Sequence, residues 1–197
     1  MKNSFLALEN KIDSFSVICV SGKMASGKNY VCSQLEKSGW ISTDLDKTAH
    51  KAIELCKEEI LLKLSPYAKK EGIELLNDDN SINRRNLGKL VFSKPELLFI
   101  QESIIYPKII ELTKNFISEN SSKKIIINAT VLFKTPELLN LCAAVVFVKA
   151  PFLKRLFRAK KRDGLPFRQI LSRFSAQKTL LKEYQKSKIP VILWKNR

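Results

Sequence analysis

Apolar residues along this chain occur either in short unbroken runs or at helical intervals. Phe15 to Val20 is a run rich in β-branched side chains, the pattern of a strand buried on both faces. Val31 and Leu35 then stand one helical turn apart, and the helix they predict runs to Ser38-Gly39, where glycine suits the position past a helix end. Trp40 to Thr43 predicts a second short strand ending at Asp44-Leu45-Asp46. From about Lys47 to Leu64 the period is helical again, with Ala49, Ile53, Cys56, Ile60 and Leu64 on one face. Ser65-Pro66 is expected to stop that helix.

The middle third is helical throughout. Asn77 to Ser81 is a turn cluster. Helical patterns follow over Arg84–Phe92, Pro95–Tyr106 and Pro107–Ser118, and Ser93-Lys94-Pro95-Glu96 reads as a capping box with proline at the first helical position. Strands resume at Lys124–Asn128 and Ala144–Val148, with a short helix opened by Thr135-Pro136-Glu137 between them. Two basic helices broken at Asp163-Gly164 come next, then a last strand at Pro190–Leu193. This alternation predicts an α/β fold: a mostly parallel five-stranded sheet with helices on both faces and strand 2 beside strand 1. Ligands on such a sheet sit outside the carboxyl ends of its strands.

Composition narrows the class. The 197 residues suffice for one well-buried domain, and the apolar content of 45% is that of a globular protein. No stretch approaches ~18 uninterrupted apolar residues, and the apolar run near Met1 is too short for a signal peptide, so a cytoplasmic protein with no membrane partner is expected. Cys19, Cys32, Cys56 and Cys142 are scattered without a C-x-x-C pair, which argues against zinc or disulfides, and the single histidine, His50, excludes His-rich metal sites. The net charge of +16 suits a nucleic-acid binder, an enzyme of polyanionic substrates, or simply a lysine-rich chain. Its lysines are dispersed, with no block and no interleaved aromatics, so the charge reads as a background that favours anionic ligands. Nucleic acid is not the expected partner.

Chemistry concentrates in three places. Gly22-Lys23-Met24-Ala25-Ser26-Gly27-Lys28 follows the predicted first strand and precedes a helix, matching the phosphate-binding pattern G-x-x-x-x-G-K with Asn29 where Ser or Thr is usual. Such a loop turns its backbone N–H groups onto phosphate oxygens, adds the positive end of the helix dipole, and supplies a lysine charge. Gly22, Ala25, Ser26, Gly27, Lys28, Asn29 and Tyr30 are therefore the candidate nucleotide-binding residues. Asp44 and Asp46 end the second strand, where a carboxylate can take the proton of an attacking hydroxyl or hold a metal; Asp46 equally suits a helix N-cap. Arg158 and Arg162 share a helix face, as do Arg173 and Gln177 on the next helix, and Asp163-Gly164-Leu165-Pro166 between them is a candidate hinge for a lid. A solvated charged face would show the same spacing.

The runs S-G-K-M-A-S-G-K, T-D-L-D-K-T-A-H, I-N-R-R-N-L-G-K-L-V-F and R-A-K-K-R-D-G, in this order, make the chain similar to the dephospho-CoA kinases, from about Ile18 to the last strand. The resemblance implies a P-loop kinase core over residues 1–55 and 121–197, with a helical lid at about 152–172. It further implies a helical substrate-binding insertion over 56–120 for the CoA moiety. The implied reaction is ATP-dependent phosphorylation of the 3′-hydroxyl of dephospho-CoA, with Mg²⁺. By the same resemblance Asp46 is the general base, Asp44 its upstream partner, Lys28 the loop lysine, Arg158 and Arg162 the catalytic lid arginines, and Asn29 and Asp44 the metal ligands. Arg84, Tyr106, Arg173 and Gln177 join Asp44 and Asp46 as substrate-binding candidates. Tyr106 stands where the family usually has His, and Lys134 where it usually has Glu. Kinases of another small hydroxyl acceptor, a nucleotide or sugar, and non-catalytic ATP- or nucleic-acid-binding relatives remain the alternatives.

Overall fold

A computed structural model describes residues 2–196; Met1 and Arg197, the outermost residues of the two end segments discussed above, lie outside the described residues. Five strands, β1 (Val17–Gly22), β2 (Trp40–Asp44), β3 (Lys124–Asn128), β4 (Ala144–Lys149) and β5 (Val191–Lys195), are joined through helices α1 (Lys2–Ile12), α2 (Lys28–Lys37), α3 (Leu45–Leu55), α4 (Lys57–Lys70) and α5 (Arg84–Val91). The remaining helices are α6 (Pro95–Glu119), α7 (Pro136–Leu139), α8 (Phe152–Asp163), α9 (Phe167–Ala176) and α10 (Leu180–Gln185). Packing divides the chain into two compact units, Met1–Asp44 with Phe116–Arg197, and Leu45–Asn115.

The first unit holds the sheet, all parallel, in the order β2-β3-β1-β4-β5. The expected adjacency of strands 1 and 2 is therefore wrong: β3 lies between them, with Ile125 paired to Val17 on one side and Ile41 on the other. Burial explains the order. Ile125, Ile126 and Ile127 are shielded on both faces, which only an interior strand achieves, whereas Ser42 and Thr43 tolerate the half-exposed edge that β2 occupies.

One face of the sheet buries Ile18, Val20, Ile126, Val146 and Val148 against Val31, Cys32 and Leu35 of α2 and Leu8 and Ile12 of α1. Helix α1 was not expected. Its signal is the i,i+4 spacing of Leu8 and Ile12, too short a pattern to stand alone. On Phe147 packs Tyr184 of α10, ring centroids 6.2 Å apart. The buried Tyr184 hydroxyl accepts from the Leu132 amide at 2.9 Å and donates to the Thr130 carbonyl at 3.1 Å, so its burial leaves it satisfied.

In the second unit two expectations about prolines fail. The helix anticipated over 47–64 bends at Cys56 into α3 and α4, and α4 runs through Pro66 to Lys70. Likewise α6 is continuous across Pro107. An interior proline costs about 3 kcal/mol, but burying an Ile or Leu side chain returns roughly 1.5–3 kcal/mol each. Ile60, Leu64 and Ala68 form one buried stripe past Pro66, and Ile104, Ile105 and Ile109 another past Pro107, so packing wins over the local penalty. The turn cluster Asn77–Ser81 is closed by the antiparallel bridge between Leu76 and Ile82. No helix among the described residues is long and apolar enough to cross a membrane.

Candidate active site

The loop after β1 has the backbone its sequence requires. At Gly22 a Cβ would stand 2.5 Å from the Val148 carbonyl oxygen and 2.6 Å from Ser26 Oγ, so no side chain fits. Gly27 is left-handed at φ 95°, and Ala25 takes φ 58°, a strain of about 1–2 kcal/mol for a non-glycine residue. Strain of this kind persists only where neighbours hold the backbone in place.

Several side chains do so. Gln177, at the C-terminal cap of α9, accepts from the Met24 N–H at 2.6 Å, and Arg155 Nε of α8 donates to the Met24 carbonyl at 2.9 Å. Asn196 Nδ2, just beyond β5, donates to the Ser26 carbonyl at 2.9 Å. Lys28 Nζ donates to the Gly22 carbonyl at 3.2 Å, folding the lysine back over the loop that precedes it. The Arg158 guanidinium lies 3.7 Å from where a Gly27 Cβ would stand. Arg162 instead grips its neighbour Asp163 in a fork, at 2.7 and 3.1 Å, and this bond holds the Asp163 carboxyl below its ordinary range, with Arg173 adding a smaller attraction.

Strand order also sets the neighbourhood of Asn29. In register, Asn128 at the end of β3 lies between Val20 of β1 and Asp44 of β2. Its Nδ2 donates to Asn29 Oδ1 at 3.1 Å and to Asp44 Oδ2 at 3.4 Å, so one amide gathers both oxygens. Asn29 and Tyr30 open α2 and are exposed.

The other expected residues belong to the second unit. Asp46 is exposed in the first turn of α3, and His50 is exposed on the same helix. Arg84 begins α5, which Asn83 caps by accepting from the Asn86 N–H at 3.1 Å. The Tyr106 hydroxyl donates to Glu102 at 2.7 Å; burial first, and this carboxylate second, push the phenol well above its ordinary pKa.

Sequence reasoning missed Arg155, Asn128 and Asn196. Arg155 stands one helical turn before Arg158, a signal that could have found it. Asn128 closes an apolar strand as Asp44 does. For Asn196 the sequence carries no signal, because its role depends on where β5 ends.

Comparison with known proteins gives these geometries a context. The model of the dephospho-CoA kinase family matches residues 16–194. The chain is 38% identical over 172 residues to the dephospho-CoA kinase of Treponema denticola, covering 85% of this chain and 76% of that one. Among solved structures it is similar to a dephospho-CoA kinase from Campylobacter jejuni (TM-score 0.66, 26% identity, 92% of this chain and 89% of that one). It is also similar to TT1252 from Thermus thermophilus (TM-score 0.77, 25% identity, 92% and 88% covered). The phosphate loop, the parallel five-stranded sheet and the match over residues 16–194 lead to one conclusion: the chain belongs to the dephospho-CoA kinase family, with the fold of a P-loop kinase.

Proposed function

We propose that this protein phosphorylates the 3′-hydroxyl of dephospho-CoA with ATP, giving CoA and ADP, in the cytoplasm. The observation that carries the reading is the extent of the family match. Residues 16–194 include the phosphate loop, the whole Leu45–Asn115 unit and the α8–α9 helices, so the match supporting this reading is not confined to the phosphate loop.

In the proposed reaction, the amides of Ala25 to Tyr30 and the Lys28 ammonium hold the β- and γ-phosphates of ATP. Asp46 accepts the proton of the 3′-hydroxyl as its oxygen bonds to the γ-phosphorus and the bond to the β-phosphate oxygen breaks. Arg158 neutralises charge on the transferring group, and Arg162 joins it by giving up its fork to Asp163. The α8–α9 pair acts as the lid that excludes water, the competing acceptor. Arg84, Tyr106 and Arg173 contact the acceptor, and the helical unit takes the CoA moiety. Gln177 serves this site through the loop, since its oxygen receives the Met24 amide.

Asn29 Oδ1 and Asp44 Oδ2 fit a magnesium ion. Both are hard oxygen donors, and Asn128 holds them at one locus. When bound there, Mg²⁺ supplies charge neutralisation and alignment for the phosphates. Asn29 in place of Ser or Thr keeps an oxygen at that position.

The test is ADP release from MgATP with and without dephospho-CoA, with the product identified by mass. Acceptor-dependent ADP and 3′-phosphorylated product are expected. ATP binding with no product from dephospho-CoA, but turnover with a nucleotide or sugar, would overturn the acceptor assignment.

A further inference from the structure

A second cationic feature lies within the sheet-bearing unit, apart from the amide cradle. It is a cavity of about 420 Å³ between the start of the phosphate loop, the end of β4 and α10. Its size falls within the range of small-molecule sites. Lys23, Lys149, Arg155, Lys178 and Lys182 line it, and no carboxylate does. Lys28, Asn29, Arg158 and Arg162 are not among its walls.

Five cations without an acid would mean little on an open surface. Here two wall residues are buried and incompletely bonded. Arg155 is 8% exposed, spends Nε on the Met24 carbonyl and lies over the Phe174 ring, while its Nη2 has no partner. Ser26 is 1% exposed and its Oγ has no partner either. A buried guanidinium is normally compensated by a carboxylate or a full set of acceptors. Lys23 feels the deficit: burial first, then repulsion from Arg155 and Lys149, lowers its pKa. The remaining wall is apolar at Phe147, Val148, Ala150 and Leu181, with the neutral amide of Gln185 as its one further polar group.

We propose that this cavity binds a small phosphate-bearing molecule, at a site separate from the amide cradle and sharing only Lys23 and Ser26 with the phosphate loop. Phosphate oxygens would supply the acceptors that the cationic walls lack, and Lys182 and Lys178 on the rim would draw the anion in. The apolar wall suits the organic part of a phosphate monoester. Free phosphate would satisfy the cations alone.

The proposal is tested by following backbone amides in a ¹⁵N NMR titration of the full chain with inorganic phosphate and, separately, phenyl phosphate. Saturating shifts at Lys149, Ala150, Leu181 and Lys182 are expected. The Lys149→Glu/Lys182→Glu double variant should weaken that binding at least tenfold while leaving shifts at Gly27 to Tyr30 in place. Tighter binding of phenyl phosphate would identify an organic monoester as the ligand class, and tighter binding of inorganic phosphate the free ion; either ranking supports the site. Shifts confined to Gly22–Tyr30, or equal affinity in the double variant, would overturn it.

Discussion

The side-chain amide of Asn196 donates to the Ser26 carbonyl at 2.9 Å, fastening the end of β5 to the middle of the phosphate loop. The same nitrogen occupies the space a Cβ on Gly27 would need. Asn196→Ala leaves a buried carbonyl unpaired and should cost about 1–3 kcal/mol in urea denaturation. Gly27→Ala adds strain at φ 95° to an overlap with Asn196, and should weaken ATP binding at least tenfold. Combining the two substitutions should cost less than their sum, because the overlap is gone. Strict additivity would show that the packing of Asn196 on Gly27 is immaterial.

Gln177 receives the Met24 N–H at 2.6 Å, so its contribution is that of an acceptor. Gln177→Ala should therefore raise the KM for ATP several-fold through a loosened loop. Gln177→Glu, which keeps an oxygen at the same reach, should recover most of the loss. If the alanine and glutamate variants behave alike, the contact with Met24 does not position the loop.

Much of the sheet was legible because β3 and β4 are unbroken apolar runs whose ends coincide with polar residues, and the phosphate loop was legible because its glycines sit at fixed spacing. Strand order was not. Nothing local distinguishes a β1–β2 neighbour pair from one with β3 inserted; that follows from which strand must be buried on both sides, and it decides that Asn128, rather than Asp44, adjoins β1. The prolines misled for a related reason. Pro66 and Pro107 carry a local penalty visible in sequence, while the buried stripes that outweigh it are tertiary. Arg158 illustrates the opposite case: its i,i+4 relation to Arg162 was readable, yet Arg158 lies near Gly27 of the phosphate loop while Arg162 is bonded to Asp163.

Under the proposed reaction, Asp46→Asn should lower kcat roughly 10²-fold or more while ATP affinity is kept, the usual scale of a lost general base. Lys28→Ala should instead impair ATP binding or turnover through the β/γ-phosphates. The two are separated by measuring nucleotide affinity directly alongside steady-state rates. Near-normal kcat in Asp46→Asn would remove Asp46 from its role.

The Arg162–Asp163 fork gives an acid-side signature. Because the Asp163 pKa is lowered in the folded chain, mainly by the bond from Arg162, its contribution to stability is complete above the ordinary carboxylate pKa. That contribution is lost as pH falls through the lowered folded value. Asp163→Asn should accordingly flatten the fall in thermal stability below about pH 5 and lower stability at pH 7 by the same amount, a small one because the Arg162 side of the pair is exposed. An unchanged acid-side slope in the variant would show that the fork does not form in solution.

Thiol reactivity tests the packing of both units at once. Burial pushes the Cys32 and Cys142 thiols up to about 12 and raises Cys19 well above its ordinary value. At pH 8 a thiol of pKa 12 is thiolate about one part in 10⁴, and these three side chains are also closed to reagent. Cys56, at the bend between α3 and α4, is only partly buried. Titration of the native chain with an aromatic disulfide reagent at pH 8 should therefore modify one thiol within minutes, and Cys56→Ser should abolish that phase, while denatured chain releases all four. A second fast thiol in the native chain would mean that α2 or the α7 region opens readily, because Cys32 and Cys142 are shielded by the packing of those elements rather than by their own chemistry.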